Sequence, residues 1–95
     1  MNLGKVVGTV VSTQKEPTLN GVRFLLVRQI DTTGKETPSF VVAADAMGAG
    51  VGEIVLTAAG SSARQTEMTD KKPVDNVIMA IVDTWEVNGK TQYTK

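Results

Sequence analysis

Short apolar runs, rich in β-branched residues and ended by glycine, asparagine or polar clusters, recur along the chain. The run 5–12 predicts a first strand, with Gly8 at its middle as the bulge or bend that lets a small barrel curve. A polar loop, 13–21, carries Pro17 and the turn pair Asn20-Gly21, and 23–30 reads as a second strand. The turn 31–34 separates it from a third strand at 39–44, and a fourth follows at 53–59. After a short helix and a charged loop at 69–73 closed by Pro73, 77–82 is the fifth strand. Asn88-Gly89 then predicts a two-residue hairpin between 84–87 and 90–93. Five short strands, one helix between the fourth and fifth, and a terminal hairpin predict an all-β chain built on a small closed or partly open barrel.

The second, third and fifth strands are apolar at nearly every position, whereas a barrel standing alone should alternate apolar inside with polar outside. Both faces therefore need cover. One helix is too little to supply it, so a second copy of the chain is expected to, in a ring or compact homo-oligomer.

The stretch 44–64 concentrates the unusual residues. Gly48, Gly50 and Gly52 fall at every second position, as suits a backbone needing positive φ or close approach to another chain. Behind the fourth strand, Gly60 breaks the chain direction. Ser61 or Ser62 is placed to cap the free N–H groups of the short helix, with Gln65 completing a capping box. Two enzymatic readings fail here. Gly48-Ala49-Gly50-Val51-Gly52 is G-x-G-x-G leading into a strand, not the G-x-G-x-x-G leading into a helix that cradles a dinucleotide. Gly60-Ser61-Ser62-Ala63-Arg64 lacks the nucleophile-elbow spacing, and the chain has no histidine to take a serine proton.

Composition narrows the function further. With 95 residues the chain is expected to form one domain, 1–95, small enough for association to add needed burial. Ten basic and ten acidic residues leave no net charge, so no long-range field draws it to nucleic acid or an anionic membrane. Without cysteine or histidine there are no disulfides and none of the usual zinc sites, and the carboxylates are too scattered for an oxygen-ligand metal site. The N-terminus lacks a signal-peptide core and no apolar run approaches the ~20 residues of a membrane span, so a cytosolic protein is expected. No cofactor or metal is expected.

Along most of its length the chain resembles the EutN/CcmL family, the pentameric vertex proteins of bacterial microcompartment shells. The resemblance runs through Gly4, Val6, Gly8, Val10, Ser12, Thr13 and Lys15, then Leu19, Gly21 and the apolar run 24–27. It is most specific at Asp45, Gly48-Ala49-Gly50, Gly52-Glu53, Val55 and Gly60-Ser61-Ser62-Ala63-Arg64, and it continues through Pro73, Val74, Asp75 and 77–83. The tail 84–95 matches no motif of the family. The resemblance implies an OB-like five-stranded barrel and a homopentamer in which strands and the signature turn meet neighbouring subunits. That assigns Asp45, Gly48, Ala49, Gly50, Gly52, Glu53, Gly60, Ser61, Ser62 and Arg64 to the interface or the turn. It also implies a structural role at the corners of a shell tiled by hexameric proteins in the bacterial cytoplasm, without catalysis.

An OB-fold module binding single-stranded nucleic acid or oligosaccharide is the alternative. That class uses stacking aromatics and a positive groove. Here Phe24 and Phe40 are expected in the core, and Asn88-Gly89 as a two-residue turn puts Trp85 and Tyr93 on opposite faces of the hairpin. For an enzyme, only Asp45, Glu53, Asp75 and Arg64 invite inspection, and turn capping, helix support or an ion pair explains each equally well. Arg64 is expected to bond a carboxylate or backbone carbonyls.

Overall fold

The computed structural model describes residues 1–66 and 74–95, and the charged loop expected at 69–73 lies outside them. The strands are β1 (Asn2–Val10), β2 (Arg23–Ile30), β3 (Glu36–Asp45), β4 (Ile54–Ala59), β5 (Asn76–Ile81), β6 (Thr84–Val87) and β7 (Lys90–Thr94). The first five close into a barrel in the order β1-β2-β3-β5-β4, with β6 and β7 as a separate two-stranded sheet. All barrel pairs are antiparallel except β3 with β5. This is the OB-like barrel with a C-terminal hairpin that the sequence implied.

Local chemistry accounts for the bends. The β1–β2 register shifts between Val6 and Gly8, which is the bulge expected at Gly8. Gly34 turns with φ 87° while the Asp31 carboxylate accepts the Thr33 and Lys35 N–H groups, holding the β2–β3 turn. Asn88 and Gly89, at φ 53° and 76°, supply the left-handed pair of a tight hairpin turn.

Inside the barrel, Val6, Leu25, Val27, Ala43, Ala49, Val55 and Ile78 form one buried cluster. Burying each of its larger aliphatic side chains contributes about 1.5–3 kcal/mol. A second cluster lies at the shared end of β3, β4 and β5, where Ala44, Ala58 and Val77 pack with Ala63 and Val74. Ala63 sits in a 3-10 helix, Gly60–Arg64, between β4 and β5. This refines the expectation that a second copy must cover the outer faces. The chain's own 3-10 helix covers one end of them, which is why Ala43 and Ala44, neighbours pointing to opposite faces, are both buried. Elsewhere the outer face stays open: Phe40 is 58% and Val42 43% exposed. Phe40 is thus not a core residue, whereas Phe24 is partly buried against the second cluster.

The short helix starts differently from the expected capping box. Its N-cap is Ala59, with no side-chain cap bond, and Ser61 and Ser62 are exposed. Gly60 at φ 63° donates its N–H to the Asp75 carbonyl at 2.8 Å, so the turn is started by backbone geometry and a contact to the segment before β5.

Candidate functional site

Between β3 and β4 the chain crosses one end of the barrel, and Asp45 organises that crossing. The carboxylate is buried at the last position of β3, where it accepts the N–H groups of Met47 at 2.8 Å and Ala49 at 3.0 Å. It also takes a charge-assisted bond from Arg23 on the paired strand at 2.9 Å. Two turn amides and one guanidinium thus use both oxygens, as a buried carboxylate requires. Ala49, fully buried in the interior cluster, plugs the barrel end.

The glycines divide the remaining work. Gly48 and Gly52 have φ 77° and 94°, the left-handed region that a β-branched residue avoids, and Gly52 donates its N–H to the Val6 carbonyl at 2.8 Å. Of the two alternatives expected for these glycines, Gly50 does not take positive φ. A Cβ there would lie 3.4 Å from Glu53 Oε1, so its constraint is proximity to a side chain. Its N–H donates to that same oxygen at 2.6 Å. The Glu53 backbone carbonyl accepts the Val6 N–H at 2.9 Å, which stitches the turn to β1.

Glu53 Oε2 accepts a bond from Lys95 Nζ at 2.7 Å. The Lys95 bond, with that of the Gly50 N–H behind it, holds the Glu53 carboxyl below its ordinary value, and the same contact raises the Lys95 ammonium. At the other end of the signature run, Arg64 Nη1 donates to the Val74 carbonyl at 3.2 Å and to Asp75 Oδ1 at 3.1 Å, the mixed carbonyl and carboxylate contact expected of it, made within the subunit.

The run singled out by sequence thus separates into two places. Asp45, Gly48, Ala49, Gly50, Gly52 and Glu53 share the barrel-end turn. Gly60, Ser61, Ser62 and Arg64 belong to the 3-10 helix that packs on the second cluster through Ala63. Two partners were missed, Arg23 and Lys95, because each meets its carboxylate across the fold. The only sequence signal was an arginine at the start of an apolar strand and a lysine in the tail.

The hairpin corrects a second expectation. A register shift between Trp85 and Glu86 sets Trp85 opposite Tyr93, and the rings stack at 5.0 Å between centroids with an 18° interplanar angle. The two aromatics share one face. They are turned to internal use, since the indole N–H donates to the Thr32 carbonyl at 2.9 Å and fastens the hairpin to the β2–β3 turn.

On the barrel-end turn itself two apolar side chains face solvent, Met47 at 51% and Val51 at 66% exposed. Val10, Val11, Leu19, Val22, Phe24 and Val42, together with the polar Thr9, Ser12, Lys15 and Arg23, line a groove of about 560 Å³. Such a concentration of apolar side chains is the mark of a surface covered in an assembly.

The family model described as "Ethanolamine utilisation protein EutN/carboxysome" matches residues 1–83. The chain is 50% identical, over all of its length and 95% of the relative's, to the carboxysome shell vertex protein CcmL of Gloeobacter violaceus. The solved structure of a Gloeobacter violaceus CcmL superposes with a TM-score of 0.97 at 49% identity, covering 100% of this chain and 98% of that one. A solved structure described as the GrpN pentameric microcompartment shell protein from Rhodospirillum rubrum gives a TM-score of 0.85 at 44% identity, over 92% of this chain and 99% of that one. A match across most of the sequence and a shared barrel agree, and the chain belongs to the EutN/CcmL family.

Proposed function

We propose that residues 1–95 act as one structural vertex domain, which assembles as a homopentamer and caps the corners of a polyhedral bacterial microcompartment shell in the cytoplasm. The full-length likeness to a shell vertex protein at 50% identity carries this reading. The exposed apolar set around the turn and on β3 supports it, because a lone barrel would leave those side chains in water. Signature-turn residues contribute to the subunit contact, hexameric shell proteins of the same compartment meet the outer rim, and the polar residues of the run serve structure rather than catalysis. Hexagonal units tile a flat sheet, and five-fold units at the corners give the curvature that closes it.

Native mass spectrometry is expected to find a species of five times the 10.1 kDa subunit mass. A stable monomer at micromolar concentration would overturn the assembly. A deletion strain is expected to carry elongated or open-ended compartments by electron microscopy, with the enclosed enzymes still active in extract. Normal closed polyhedra, with no second vertex protein encoded, would overturn the role.

A further inference from the structure

The turn 45–53 is fastened in two halves by two different carboxylates. Asp45 holds Met47 and Ala49 from inside the barrel. Glu53 holds Gly50, and its second oxygen is tied to Lys95, well outside the turn in sequence. Lys95 is placed for this by its own backbone, whose N–H donates to the Asp83 carbonyl at 2.8 Å. The link between β5 and the hairpin is pinned in turn, Val82 donating its N–H to the Ile54 carbonyl at 2.8 Å.

We infer that the C-terminal tail is a latch on the signature turn, with Lys95 as a positioning residue: it holds the Glu53 carboxylate where Gly50 can reach it, and so sets how firmly the turn is ordered for assembly. Gly50 and Gly52 make this half of the turn costly to order, since glycine gives up the most backbone freedom. Val51, beside Gly50, is among the exposed apolar residues and Met47 lies earlier in the same turn. The latch therefore governs the conformation of side chains that a second copy would cover. Its assembly half rests on the pentameric reading above. The Glu53–Lys95 pair is partly exposed, at 25% and 46% for the two side chains, so each copy of the latch is weak alone. In a closed ring every subunit carries one, and the small terms add.

The test combines amide exchange at Gly50 with native mass spectrometry across a dilution series. In Lys95→Met the Gly50 amide should exchange about two- to fivefold faster, and the ring should fall apart at a correspondingly higher concentration. Lys95→Arg should keep both at wild-type values. Glu53→Gln with Lys95→Met should do less than the sum of the two single changes, because both break one contact. Unchanged Gly50 exchange in Lys95→Met overturns the latch, as does equal acceleration at amides throughout the barrel. Faster exchange with unaltered ring dissociation overturns its role in assembly. A wild-type monomer defeats the pentameric reading alone, since Gly50 exchange still measures the latch.

Discussion

Residues 45–53 and 84–94 are both short pieces of chain dominated by a turn, yet the first is fastened from inside the barrel and the second from outside. The glycine turn carries a buried carboxylate, a core alanine and two backbone bonds to Val6. The hairpin forms its own sheet and is joined to the rest by the Trp85 indole on Thr32 and by Lys95 on Glu53. Buried polar contacts are expensive to break because the partner left behind loses water as well as its bond, whereas exposed contacts are replaced by solvent. The Asp45 half of the turn should therefore share the stability of the barrel, and the hairpin should be separable from it.

The largest expected effect is Asp45→Ala. It leaves the Met47 and Ala49 amides without their acceptor, and the Ala49 N–H is buried. A loss of about 2–4 kcal/mol in chemical denaturation is expected. A change below 1 kcal/mol would place the turn on the same footing as the hairpin and dissolve the contrast.

Next comes the comparison of Gly52→Val with Gly50→Val. At Gly52 a β-branched residue must adopt φ near 94°, with a cost of about 1–3 kcal/mol. At Gly50 the added group meets only the end of the Glu53 side chain, which can shift, so the denaturation midpoint should move less. Equal midpoints for the two variants would show that backbone strain does not distinguish these positions.

Trp85→Ala should move the barrel least. The stacked pair and the bond to Thr32 are lost, and near-ultraviolet circular dichroism should lose its tryptophan band while the barrel's unfolding free energy shifts by under about 1 kcal/mol. A larger shift would mean that the hairpin and barrel fold as a single unit.

Much of this architecture was legible in the residues. The second strand at 23–30 coincides with β2, Gly8 marks the β1 bulge, and Asn88-Gly89 makes the hairpin turn, since each depends on local backbone preference alone. The sequence also determined that apolar side chains would exceed what the interior holds, and Val42 is left outside, but so is Phe40, which the sequence assigned to the core. What it could not determine depended on register and on distance through space. One extra residue in the ladder beside Trp85 carried it across to the face of Tyr93, because side chains alternate with a period of two. Which of three similar glycines needed positive φ followed from where Val6 and Glu53 lay. The acceptor of Arg23 and the partner of Lys95 were fixed only once β2 had paired with β3 and the tail had returned to the turn, contacts spanning 22 and 42 residues that no local pattern encodes.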